Sequence, residues 1–319
     1  MSSTAPAFES AAVHHRLLQR YYSNGKAIVT ESASSHWRQF SKNFSARADG
    51  NDFELVGSGF GESSNSGVVA RLSALVGNSL HLASLAMPHL RQDVNEARAI
   101  VERMGLVFSQ DAFRQACTLN LLASHLGSVA PERILVIGDG HGILSALLHV
   151  RYPNARVFLA DLGPVLLFQA HHLYLAFPDV AQAITDENAA GTATFNFCPA
   201  DRLDTLPPES LDLAINVASM QEMDPAVTAS YFAVLRQHDT SLFYCCNRVE
   251  KRMVGGEVAR FMDFPWLPSD VHLVDALCPW HQWFVGRGTS PHVRLLGVPV
   301  PLMHRYDGPH WHRLTRLGK

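Results

Sequence analysis

The pattern of apolar and polar positions changes character near residue 109. Beyond it, short apolar runs alternate with longer stretches in which apolar residues recur every three or four positions. Ile134, Leu135, Val136 and Ile137 form one continuous run, as expected for a parallel strand covered on both faces. Ile143, Leu144, Leu147 and Leu148 follow at helical spacing, and a second strand is expected over 156–160, ending in Asp161. Leu166, Leu167, Ala170, Leu173 and Tyr174 repeat the helical pattern until Pro178. Further strands are expected at 194–198, 211–217 and 240–246, with a helix over 225–237. Ahead of the first strand, 109–126 reads as a helix capped by Ser109 and stopped by Gly127. Strands and helices in this rhythm predict an α/β fold, a Rossmann-like, doubly wound and mostly parallel sheet.

Residues 1–108 lack that rhythm. A short helix is expected over 14–22, a turn at Ser23-Asn24-Gly25, a mixed polar and aromatic segment over 34–44 and a glycine loop over 57–61. An apolar helical stretch over 67–90 completes the region. It is read as a helical N-terminal cap over the mouth of a second unit spanning 109–319; an extension that only packs or forms a homodimer is the alternative. After residue 246 the chain is polar and glycine-containing, with aromatic turns at 264–266 and 279–280 and candidate edge strands at 292–298 and 301–306.

The turn after the first strand, Gly138-Asp139-Gly140-His141-Gly142, carries the first chemical signal. Glycines there let the backbone turn sharply and a ligand approach closely. A dinucleotide fingerprint would need a small residue at 143, where Ile143 stands, and this argues against a nicotinamide enzyme. The G-x-G-x-G spacing suits S-adenosylmethionine (SAM), which has no pyrophosphate to seat on a helix N-terminus. Asp161, about twenty residues on, would accept both ribose hydroxyls. Asp139 would hold the amino or ribose end of that cofactor or simply form the turn. Asp201, after the third strand, would meet the adenine amino group or serve as a solvated turn carboxylate.

Composition narrows the class. The chain has 319 residues, 47% of them hydrophobic and 17% charged, and a formal net charge of −3. That is enough for a sizeable core and gives no basic footprint for nucleic acid. No apolar run reaches membrane-spanning length, and the start of the chain lacks the blocks of a signal peptide, so a cytoplasmic protein is expected. Five cysteines, an odd number without C-x-x-C spacing, read as reduced core thiols, and no metal site is expected from them or from the 17 histidines.

In open α/β sheets ligands bind outside the carboxyl ends of the strands. Those ends carry Gly138 to Gly142, Asp161 with Leu162, Asp201 with Arg202, the segment from Asn216 through Gln221 to Glu222, and the segment from Asn247 to Lys251. His141 and Glu222 are the candidate general bases, since a hydroxyl acceptor needs a base within hydrogen-bond reach. Each has a plain alternative, His141 beside the cofactor and Glu222 as a cap on the helix starting near Pro225. Arg248, Lys251 and Arg260 could pair with an acidic group on the acceptor or belong to a solvated loop. Trp37, Phe40, Trp266, Trp280 and Trp283 could wall its pocket or belong to the core.

Around these residues the sequence resembles the sugar O-methyltransferases, a branch of the class I SAM-dependent enzymes. That family's turn usually reads GGGYG, against Gly138-Asp139-Gly140-His141-Gly142 here. Its second strand ends in DLPE, matched by Asp161-Leu162 but not by Gly163-Pro164. The segment from Asn216 to Met223, then Asn247, Glu250-Lys251 and Asp263-Phe264-Pro265-Trp266, is similar to the family's later motifs. The resemblance spans about residues 110–270 and the aromatic cap. It implies SAM as cofactor and methyl transfer to a hydroxyl of a small polar metabolite, a sugar or a natural-product intermediate. Transfer to nitrogen or another heteroatom and a non-catalytic interaction module are the alternatives.

Overall fold

The computed structural model describes residues 12–28, 33–49, 52–57, 88–187, 191–282, 294–295, 298–299 and 308–318. Within them the N-terminal part comprises α1 (Val13–Tyr21), the short strands β1 (Tyr22–Ser23) and β2 (Lys26–Ala27), α2 (Ser35–Phe40), β3 (Ser45–Asp49) and β4 (Asp52–Val56). The four strands pair antiparallel in chain order, so this part carries a small sheet beside its helices, built around the expected turn at Asn24-Gly25. Most of the apolar stretch expected over 67–90 and of the glycine loop over 57–61 lies outside the described residues.

Helices α3 (Arg91–Arg103) and α4 (Gln110–Leu126) then lead into β5 (Arg133–Ile137), α5 (Ile143–Arg151), β6 (Arg156–Asp161), α6 (Gly163–Ala176), β7 (Gln182–Ile184) and β8 (Phe195–Pro199). After these come β9 (Leu213–Val217), α7 (Pro225–Gln237), β10 (Leu242–Arg248), the hairpin β11 (Glu250–Arg252) and β12 (Val258–Arg260), and β13 (Val271–Leu277). A single helical turn, α8 (Pro279–Gln282), precedes a two-residue hairpin, β14 (Arg294–Leu295) with β15 (Val298–Pro299), and the chain closes on β16 (His310–Arg316).

The main sheet has the order β13-β16-β10-β9-β5-β6-β8-β7. Every pairing is parallel except the two made by β16, which runs against β10 and β13. The sheet is the expected doubly wound α/β type, with β5 and β9 meeting at the reversal of strand order where such folds bind ligands. The five expected strands correspond to β5, β6, β8, β9 and β10 within two residues. Edge strands are expected at 292–298 and 301–306. The first range contributes to the separate β14–β15 hairpin, and the second lies outside the described residues.

Alternation along the strands divides the core in two. Ile134 and Val136 pack with Ala116, Leu119, Leu144 and Leu147 on the α4–α5 face. Leu135 and Ile137 point the other way, to Phe232, Leu235 and Phe243 beneath α7. All four are at most 2% exposed, which is why β5 reads as an unbroken apolar run rather than an alternating one. Among the described residues no helix is long and apolar enough to cross a membrane.

Candidate active site

The glycine turn meets the end of β9. Gly138, Gly140 and Gly142 all have positive φ, 73°, 61° and 83°, a conformation that favours glycine. At Gly138 there is a second reason: a Cβ would lie 2.0 Å from Ser219 Oγ. The close approach expected of a ligand is here made by Ser219. Ala218 places it there from a left-handed conformation (φ 57°), held by its amide donating to the Cys246 carbonyl at 2.7 Å. Such backbone costs about 1–3 kcal/mol in a residue with a Cβ and clusters at functional sites.

Asp139 is turned away from this space. Its Oδ1 accepts from the Leu144 amide at 3.1 Å and its Oδ2 from the Ser145 amide at 2.8 Å, satisfying orphan donors at the start of α5. Burial pushes its carboxyl up to about 7, with those amides holding it back. Of the two roles expected for Asp139, the geometry contains the structural one.

A cavity of about 290 Å³ opens at the carboxyl ends of β6, β8 and β9. Asp161, Leu162, Asp201, Ser219 and Glu222 line it from below, and Met223, Asp224, Val227 and Tyr231 from the approach to α7 and its first turns. Tyr21, Ser34 and Trp37 close it from the N-terminal part. That part is fastened by Arg20 to Asp186 through two hydrogen bonds of 2.9 and 2.6 Å and by Tyr22 Oη donating to the Pro164 carbonyl at 3.0 Å. Ser34 caps α2 and also donates from Oγ to the Glu222 carbonyl at 2.5 Å. The second link runs directly over the site.

Asp161 is held in place by its own helix. Oδ1 accepts from the Leu162 amide at 2.8 Å and Oδ2 from Gln169 Nε2 at 2.7 Å, nearly two helical turns into α6. Burial raises its pKa to about 7 against those bonds and one from the Gly140 amide, with the Asp139 carboxylate adding to the rise. A pair of hydroxyl donors from a bound nucleoside would offset that burial.

Glu222 sits in the opposite environment. Its carboxylate lies 2.5 Å from Lys251 Nζ and 3.4 Å from His36 Nε2, with all three residues buried. Burial works to raise its pKa, but His36 and Lys251 outweigh it and keep the group below its ordinary value. The result is an anion in the cavity lining, held beside two basic side chains.

Thus Asp161, Leu162, Asp201, Glu222 and Trp37 line one cavity, and Lys251 joins through Glu222. The remaining expected site residues do not line it. His141 is buried with Nδ1 3.4 Å from His172 Nδ1, in the packing between α5 and α6. Arg202 pairs with Asp186 at 3.5 Å and Asp204 at 3.3 Å. Asn216 donates to the Ile137 carbonyl and accepts from the Met220 amide and Asn247 Nδ2, tying β5, β9 and β10 together. Gln221 accepts from the Arg248 amide at 2.7 Å through Oε1 and donates from its own amide to Asn247 Oδ1 at 3.0 Å. Trp266 packs against Phe232 and Phe243 in the core below α7, and Arg260 pairs with Glu250 at 2.8 Å. Of the cations expected to read an acidic acceptor, Lys251 is paired with Glu222 beside the cavity and Arg260 with Glu250 away from it.

Tyr21, Ser34, Asp224 and Tyr231 were not expected at the cavity, nor His36 at Glu222. The only advance signal was the aromatic segment around Trp37, which singled out the stretch without indicating its partners.

No protein-family profile matches this sequence, and no curated protein matches it. Among solved structures it is similar to a candidate O-methyltransferase of Klebsiella pneumoniae, at 17% identity over 78% of this chain and 99% of that one, with a TM-score of 0.43. It is also similar to an rRNA methylase of Escherichia coli (13% identity, 76% of each chain, TM-score 0.39). A third is magnesium protoporphyrin IX methyltransferase of Synechocystis, crystallised with bound SAM (9% identity, 65% of this chain and 82% of that one, TM-score 0.40).

Proposed function

We propose that this protein is a SAM-dependent methyltransferase acting on a hydroxyl group of a small polar molecule. The observation that carries the reading is the Asp161 carboxylate at the end of β6, set by Gln169 and the Gly140 amide, sharing one cavity with buried Glu222. Asp161 would accept the ribose hydroxyls and Asp201 would meet the adenine side. Ser219, over the glycine turn, would face the rest of the cofactor.

Bound SAM supplies an electrophilic methyl group on a sulfonium. The chain's own residues then have to align an acceptor and receive one proton. Trp37, Tyr21 and Ser34 close the cavity over the acceptor, which supports alignment as the larger contribution to rate. Glu222 accepts a hydrogen bond from the acceptor hydroxyl and takes its proton as the new carbon–oxygen bond forms. A carboxylate below its ordinary pKa suffices, because a methylated oxonium is a far stronger acid than any carboxylic acid. Lys251 and His36 position Glu222 and keep it ionised.

The acidic lining supports a small neutral acceptor rich in hydroxyl donors over an RNA. Asp161, Asp201, Glu222 and Asp224 present charge of the wrong sign to a phosphate backbone. The same lining favours a second reading, methyl transfer to an amine held by carboxylates. Calorimetry with SAM and S-adenosylhomocysteine tests the cofactor: binding is expected in the wild type and lost in Asp161→Ala, and no heat in the wild type overturns the reading. S-adenosylhomocysteine release over a panel of polyols, sugars and amines tests the acceptor. Glu222→Gln is expected to cut kcat by about 10²–10⁴-fold for a hydroxyl acceptor while leaving SAM binding intact. Little loss beyond binding would favour the amine.

A further inference from the structure

On the far side of β10, away from the cavity, two sulfurs and an imidazole converge. Cys246 lies in β10, Cys278 follows β13, and His281 sits one helical turn on in α8, so that a Cys-x-x-His spacing turns both side chains to the same place. His281 Nδ1 is 3.1 Å from Cys278 Sγ and 3.6 Å from Cys246 Sγ. The three donor atoms lie within 4.8 Å of one another, and all three residues are 0% exposed. One nitrogen facing two sulfurs can give at most one proton, so hydrogen bonding satisfies only one of the two contacts.

Tetrahedral coordination satisfies both. With Zn–S near 2.3 Å and Zn–N near 2.0–2.1 Å, adjacent nitrogen and sulfur ligands stand about 3.6 Å apart. His312 of β16, outside that group of three, is the candidate for a fourth ligand. It lies directly across from Cys246 in the β10–β16 register and has Nδ1 3.1 Å from Tyr244 Oη. A ligating histidine ordinarily has its second ring nitrogen fixed by such a partner. Two thiolates neutralise a divalent ion, so a bound zinc would bury no net charge from the metal and its sulfurs.

We propose that Cys246, Cys278, His281 and His312 form a structural zinc site stapling β10 to the β13–α8 corner and to the reversed strand β16. Two sulfurs and an imidazole nitrogen are soft donors, which suits zinc over magnesium or calcium. The site is separate from the cavity and does not depend on the methyltransferase reading. The Cys246 carbonyl nevertheless holds Ala218, so the staple lies beneath the floor of that cavity.

Full-length protein purified from zinc-supplemented medium is expected to contain stoichiometric zinc by plasma mass spectrometry. Cobalt exchange is expected to give strong tetrahedral d–d bands and a thiolate charge-transfer band. Cys278→Ser and Cys246→Ser should reduce both to background, whereas Cys198→Ser, at a buried thiol in β8, should retain them. Tyr244→Phe should weaken cobalt binding by about 10–100-fold. Metal-free wild-type protein that gives no tetrahedral cobalt spectrum overturns the proposal, whatever the variants do. So does a Cys246–Cys278 disulfide found by mass spectrometry in freshly purified protein.

Discussion

Two carboxylates a few strand-ends apart are pushed in opposite directions by their surroundings. Asp161 is raised to about 7 because burial outweighs its hydrogen bonds, and Glu222 is lowered because two basic neighbours outweigh burial. Hydroxyl donors need the ionised form of Asp161, so SAM affinity is expected to be full above about pH 7. Below that it should fall by up to about tenfold per pH unit. Isothermal titrations across that range should show this slope in the wild type and none in Asp161→Asn. At Glu222 the test is stability. Lys251→Met would leave a buried carboxylate with only His36 and should cost about 3–5 kcal/mol in urea unfolding. Adding Glu222→Gln to Lys251→Met should recover part of that loss, because no unpaired charge remains. Asp161 was legible in the sequence because strand, glycine turn, helix and acid follow one another within a single βαβ unit. The Glu222–His36 contact was not, since it joins positions 186 residues apart.

Among the elements, the glycine at position 163, at the start of α6, has a physical explanation. A Cβ there would meet Tyr21 Cε1 at 2.2 Å, so the absent side chain lets α1 lay an aromatic ring against the start of α6 and close the cavity. Gly163→Ala should overpack this contact, cost about 1–3 kcal/mol in thermal or urea unfolding, and expose α1 to limited proteolysis. Tyr21→Ala in the same protein should restore part of the stability. Strands buried on both faces were legible from their apolar runs, as β5, β6 and β9 illustrate. β16, sequence His-Trp-His-Arg-Leu-Thr-Arg, gave no such signal although it pairs on both edges. Its buried positions are held by His310, His312, Leu314 and Thr315, and three of those four residues are polar.

At the scale of the whole molecule, eight of the fourteen histidines among the described residues are buried. His14 of α1, edge-on to Phe53 of β4, and His171 of α6, stacked on the same ring, are lowered from 6.5 to about 4, mainly by burial and then by neighbouring imidazoles. Unfolded chains would bind those protons near 6.5 and folded ones would not. Their contribution to stability is therefore complete above 6.5 and is lost as the pH falls towards 4. Asp139 and Asp161 work the other way over much of that range, because their folded pKa values lie above 3.8 and protonation relieves their burial. Urea midpoints at about pH 7 and pH 5 should separate the two. His14→Phe should reduce the acid-side loss, and Asp139→Asn should make it steeper.

What the sequence alone determined was local: which stretches are strands or helices, where the backbone must turn on glycine, and that an acid ends the second strand. Those features depend on periodicity and backbone sterics within some thirty residues, which a single stretch of chain contains. Only the tertiary structure decided that Asp139 caps a helix while Asp161 faces a cavity, that Glu222 meets His36 and Lys251, and that two cysteines and a histidine converge behind β10. Each of these depends on burial and on distances between residues far apart in the chain, and solvent exclusion gives such contacts their chemistry only after the sheet and its N-terminal part have packed together.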